Sequence, residues 1–141
     1  MTETTKKNNR KQQLLEEIDM IIEKLSCLYS HLNNMHRDEY KCEHFSEWDE
    51  NYHKTRGDIY YFMDKLEHNI NEYLGTEEHK ILFIKWTDKS SVEIKDDGYY
   101  NAIHIKICYF EKQEYYCLKT LFKNHLDLRE HFWRDNTWVI M

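Results

Sequence analysis

From Leu14 onward the apolar residues fall at Leu14, Ile18, Ile21, Leu25, Leu28, Leu32 and Met35. Steps of four and three alternate without a break, the repeat of a helical stripe. Leu15, Ile22 and Tyr29 add a third column, and three columns make a face wide enough for a globular core or bundle, wider than a two-column coiled-coil seam. Residues 37–45 interrupt the stripe and read as a connection. Ser46 followed by Asp49 resembles a weakened capping box. Phe45, Trp48, Tyr52, Ile59, Phe62, Met63, Leu66, Ile70, Tyr73 and Leu74 then recur at helical spacing. Gly75 suits the left-handed residue that ends a helix. Gly57 predicts a bend near 55–57. A short connection makes the two helices antiparallel neighbours.

After Gly75 the period changes. Residues 80–86 are a short apolar run, and 91–95 alternate with Val92 and Ile94 on one face. Asp97-Gly98 is a hairpin-closing pair. Ile103, Ile105, Ile107 and Tyr109 then face one way, with His104, Lys106 and Cys108 on the other, and Tyr116, Leu118, Thr120 and Phe122 form a further row. These readings give four strands in an antiparallel meander over 80–122, with one apolar face for the helices to cover. Phe122, Leu126, Arg129 and Trp133 have helical spacing, with Asn124 as a cap and Asn136 as a stop. Residues 138–141 are apolar to the last position and predict a docked tail or edge strand. The expected fold is α+β: a helical hairpin over 13–75, a meander over 80–122, and a short C-terminal helix and tail over 123–141.

Composition adds a size and a compartment. A chain of 141 residues is ordinary for one domain. Aromatic content of 15% supplies a core despite 33% charged residues. Proline is absent and there are only three glycines, so no linker is visible. There is no apolar run long enough to span a membrane, and no signal-like N-terminus. The expectation is a cytoplasmic or nuclear protein with four reduced cysteines, at 27, 42, 108 and 117. The formal net charge of −6 is uneven. Residues 1–13 carry four bases and one acid, 14–79 sixteen acids and six bases, and 80–141 ten bases and nine acids. Residues 1–12 read as a disordered basic leader. The acidic helical half argues against a grip on a phosphate backbone.

Candidate chemistry is sparse. His36, Cys42 and His44 lie close together, but Cys42 and His44 form one close pair where zinc wants two, so no metal is expected. His125 and His131, six apart, lie on different faces of a helix. No phosphate-cradling glycine motif and no nucleophile elbow is present, and no cofactor is expected. Arg37, Asp38 and His44 together fit the R-x(4–6)-H spacing with a polar residue after Arg. Over these eight residues the chain resembles the active-site pattern of the HEPN ribonucleases, helical proteins that dimerise to bring two Arg/His pairs together. That resemblance implies His44 as acid–base near an RNA 2′-hydroxyl and Arg37 on the phosphate.

The aromatic content is the least ordinary feature, with 11 Tyr, 6 Phe and 4 Trp. Exposed Tyr and Trp are enriched at protein interfaces. Trp48, Tyr52, Tyr61, Tyr99, Tyr100 and Trp133 are the candidate binding residues. The leading expectation is a non-catalytic binding protein, in the manner of a small virus-, phage- or mobile-element-encoded accessory protein that binds and inhibits a host protein. A homodimer through the helical hairpin is a further expectation. The alternatives are a ribonuclease acting through Arg37 and His44, or nucleic-acid binding through the basic leader.

Overall fold

The computed structural model describes residues 3–38, 45–75, 82–87, 102–107, 113–131 and 134–140. Two long helices, α1 (Glu3–Asp38) and α2 (Phe45–Leu74), form the expected hairpin. At about 1.5 Å per residue they run for about 54 and 45 Å. Leu14, Ile18, Ile21, Leu25, Leu32 and Met35 are all buried, as are Ile22 and Tyr29 of the third column. From α2, Ile59, Met63, Leu66, Ile70, Tyr73 and Leu74 meet them. Antiparallel order shows in the ties at both ends. Arg10 reaches Glu72, and the Trp48 indole N–H donates to the Met35 carbonyl at 2.9 Å. That carbonyl lies in the last turn of α1.

Gly75 ends α2 with φ 69° and donates its N–H to the Glu72 carbonyl at 3.1 Å. This is the left-handed stop expected of it. The bend expected near Gly57 does not interrupt the helix, which runs unbroken from Phe45. Ile59 and Met63 beside it are buried. Packing of that apolar face outweighs the roughly 1 kcal/mol propensity cost of one glycine. The helix also starts ahead of the Ser46–Asp49 box.

Strands β1 (Leu82–Thr87) and β2 (Ala102–Ile107) pair antiparallel, Leu82 opposite Ile107 and Trp86 opposite Ile103. Helix α3 (Gln113–Asn124) follows, then β3 (Arg129–Glu130) and β4 (Thr137–Ile140). The strand order is β1-β2-β4-β3, entirely antiparallel. The four-stranded sheet is present, but it is not the simple meander expected, because α3 is inserted between β2 and its neighbour β4. The expected strand at 91–95 and the Asp97-Gly98 turn lie outside the described residues.

Three further expectations are corrected. The row Tyr116, Leu118, Thr120 and Phe122 is part of α3, not a strand. Leu118 and Phe122, four apart, satisfy a period of two and a period of 3.6 equally well. The partner that decides is Tyr115, which is buried with Leu118 and Phe122, while Tyr116 is exposed. The Tyr115 hydroxyl donates to Asn136 Oδ1 at 2.7 Å, and Phe122 packs edge-on against Trp138 with centroids 5.1 Å apart. The expected C-terminal helix is therefore replaced. Asn124 ends α3, a tight turn carries the exposed Leu126, and Leu128 re-enters the core. The C-terminal segment is an inner strand, β4, between β2 and β3, not an edge.

The basic leader is the third correction, since α1 is already helical from Glu3. Arg10 holds the Glu72 carboxylate through Nε and Nη2, both at 3.1 Å, and Lys11 pairs with Glu114 of α3. Glu17 in turn accepts from the buried Asn69 at 3.1 Å. Two of the four bases thus serve as intramolecular clasps between α1 and the elements beside it.

The main core gathers the helices and one face of the sheet. Ile103, Ile105 and Ile107 point to it, as expected, together with Trp138 and Ile140 of β4, and the helices cover this face. α2 lies beside β1, and α1 beside β4. On the opposite face Ala102, Val139, His104, His131 and Thr137 are also buried, so β2 and β4 are enclosed on both sides.

Candidate binding surface

The first four turns of α2 place Phe45, Trp48, Tyr52, Arg56 and Tyr60 three or four residues apart, and therefore on one stripe of the helix. Their side chains stack. Phe45 and Trp48 lie nearly parallel, centroids 5.7 Å apart at 19°, and Trp48 and Tyr52 follow at 5.1 Å and 9°. The Arg56 guanidinium comes next, 5.6 Å from the Tyr52 ring, with Nη1 donating to the Tyr52 hydroxyl at 3.1 Å. Its far side meets Trp86, 4.8 Å from the ring centre. Tyr60 closes the row against Trp86 at 5.2 Å, and the buried Tyr29 of α1 backs the same indole edge-on at 6.2 Å.

Trp86 can complete this row because β1 is the outermost strand beside α2, and Trp86 lies on the helix-covered face of the sheet. A guanidinium within about 6 Å of two ring centres is in reach of cation–π attraction to both. Burial opposes the Arg56 charge, but the hydroxyls of Tyr52 and Tyr60 more than offset it and hold the guanidinium above its ordinary pKa.

The ladder is accessible at both ends: Phe45 is 57% exposed and Tyr60 49%, with the rungs between them half-buried. Glu47 and Glu50 are exposed on the first turns of α2 but on the side away from the ladder, and Asp49, one turn beyond Phe45 on the same stripe, is half-exposed and 3.3 Å from His53 Nε2.

Of the binding residues expected from sequence, Trp48 and Tyr52 are brought together here. Tyr61 is exposed, with its ring against Phe62. It lies about two and a half turns beyond Tyr52, on the other side of the helix. Tyr99, Tyr100 and Trp133 lie outside the described residues, as do His44 and the side chain of Arg37. Phe45, Arg56, Tyr60 and Trp86 were missed as site residues. Five of the ladder's six members could have been found from the three-and-four spacing of planar side chains, but Trp86 arrives from the sheet and leaves no such signal.

Elsewhere a polar recess of about 330 Å³ opens between α3 and the β3–β4 hairpin, but Lys119 and Arg134 share it with Glu130 and Asp135, so it favours neither ligand charge. Among the described residues no three His, Cys, Asp or Glu side chains converge as metal ligands, and no helix is long and apolar enough to cross a membrane. Comparison with protein-family models, with curated proteins and with solved structures returns no match, so the ladder stands on its own geometry.

Proposed function

We propose that this chain is a non-catalytic binding protein whose contact surface is the aromatic–arginine ladder on α2. The observation that carries this reading is the continuous row of ring and guanidinium contacts from Phe45 to Tyr60, exposed at both ends. Trp, Tyr and Arg are the side chains that dominate binding energy in interfaces, because each covers a large area and retains a polar edge. Here they are already ordered by one another and by β1, so association costs less side-chain entropy than it would for free rings. The acidic surroundings disfavour a phosphate backbone. A protein partner fits both properties. In the accessory-protein role that composition suggests, such a contact blocks the surface of a host protein.

The test is affinity purification with mass spectrometry on the wild type and on three variants. A specific partner recovered by the wild type is expected to be lost with Phe45→Ala and Tyr60→Ala combined. It is expected to persist with Tyr116→Ala, a ring on the exposed face of α3, and with His44→Ala. Retention of the partner by the ladder variant removes the proposal. Loss with His44→Ala together with RNA cleavage by the wild type would favour a ribonuclease.

A further inference from the structure

We infer that the open Phe45 end of the ladder is a docking site for an arginine-bearing basic segment of the partner protein. This rests on the binding role proposed above and specifies its chemistry. The ladder already shows what its rings accept. The group that touches both Tyr52 and Trp86 is a guanidinium, within 5.6 and 4.8 Å of the two ring centres and hydrogen-bonded to a phenol hydroxyl. At the other end, among the described residues, the row ends at Phe45, whose ring lies against Trp48 and which remains 57% exposed. A further planar group laid on Phe45 would continue the stack by one rung.

Charge selects the kind of planar group. Residues 45–53 contain Glu47, Asp49 and Glu50 and no Lys or Arg. Asp49 shares the ladder's stripe, one turn from Phe45, while Glu47 and Glu50 add acidic charge on the same turn but on the far side of the helix. A nucleobase could stack here, but its phosphate would meet these carboxylates. An ammonium would be attracted, but it lacks a flat face to lie on a ring and a fork to bridge a carboxylate. A guanidinium has both. The juxtaposition of an exposed ring with a carboxylate at i+4 therefore favours arginine over lysine and over nucleic acid.

The experiment uses the full chain and three synthetic peptides of alternating Gly with Arg, Lys or citrulline. Binding is read by nuclear magnetic resonance of the indole N–H signals, with that of Trp48 assigned by substitution. The Arg peptide is expected to shift the Trp48 signal and to bind at least about fivefold more tightly than the Lys peptide, with no saturable binding by the neutral citrulline peptide. Phe45→Ala is expected to weaken the Arg peptide by about fivefold, the size of one exposed cation–π contact. Phe45 is too exposed for its loss to endanger folding, and Asp49→Asn, which removes charge without removing bulk, should weaken binding by about two- to fivefold at low salt.

Equal affinity for Arg and Lys peptides, or indifference to both substitutions, overturns the inference. So does tighter binding of a single-stranded oligonucleotide. Self-association abolished by Phe45→Ala in light scattering would make the occupant a second copy of this chain and would likewise overturn it. The two readings fail separately: a purified partner lost with the ladder variant while Arg peptides stay inert preserves the binding role and removes only the arginine.

Discussion

Replacing Arg56 by Ala tests whether the ladder is a fixed structure or a row of coincident rings. The guanidinium makes a hydrogen bond of 3.1 Å to the Tyr52 hydroxyl and ring contacts at 5.6 and 4.8 Å, with the Tyr60 hydroxyl adding further support to its charge. A hydrogen bond from a charged donor contributes about 1.5 kcal/mol at the low end of its range, which suits a half-buried group. Each cation–π contact adds about 0.5 kcal/mol where water still reaches the cation. Alanine's better helix propensity returns about 0.2 kcal/mol. Arg56→Ala should therefore cost about 2 kcal/mol. For a chain of this length that is a drop in Tm of about 7 °C, from an unfolding entropy of about 2 cal/mol/K per residue. Urea unfolding followed by circular dichroism gives the free energy directly. Arg56→Lys should recover less than half of the loss, because an ammonium keeps the charge but cannot lie flat between two rings. A double-mutant cycle with Tyr52→Phe should isolate a coupling of about 1 kcal/mol for the hydrogen bond. A cost below about 0.5 kcal/mol with no coupling would mean that Arg56 is not fixed in the row, since that is the ordinary effect of an unconstrained surface substitution.

Four further outcomes follow from the same geometry. Leu66→Ala, at a fully buried position between the helices, should cost about 2–5 kcal/mol in urea unfolding. A methyl group added at Gly57 meets nothing within 4 Å, whereas Gly75 sits at φ 69°. Gly57→Ala should therefore stabilise by about 0.5–1 kcal/mol and Gly75→Ala destabilise by about 1 kcal/mol; equal effects in thermal melts would contradict this. Deleting residues 1–12 removes the clasps from Arg10 and Lys11 and should lower the helical signal in circular dichroism. The exposed Arg10–Glu72 pair, removed alone by Arg10→Gln, should change stability only slightly. Finally, burial first, then the neighbouring Cys117 and Glu114, raises the Tyr73 hydroxyl well above its ordinary pKa of 10.0, and burial also raises Tyr115. The folded state keeps these protons after the unfolded chain has released them, so stability is full below about pH 10 and falls as the pH rises above it. Tyr73→Phe should flatten that fall, and phenolate absorbance at alkaline pH should show fewer late-titrating groups.

The helical hairpin was legible in the chain because two long stripes at steps of three and four leave little choice of partner. An apolar face wide enough to need cover, ended by a glycine that tolerates positive φ, specifies a helix and its stop from local chemistry alone. β2 was legible for the same kind of reason, since Ile103, Ile105 and Ile107 alternate with polar neighbours. α3 was not: Leu118 and Phe122 fit both periods, and the segment became helix because Tyr115 finds Asn136 and Phe122 finds Trp138, neither of them near in sequence. Nor could charge alone show that the basic N-terminal segment is helical, because its clasps reach Glu72 and Glu114, 62 and 103 residues away. The candidate site divides along the same line. The row from Phe45 to Tyr60 is written at helical spacing, but only the packing of an outer strand against α2 sets Trp86 over Arg56 and turns a stripe of rings into a continuous stack. Local periodicity decides what one segment becomes, whereas the pairing of distant segments depends on burial and hydrogen bonds that exist only once the chain is folded.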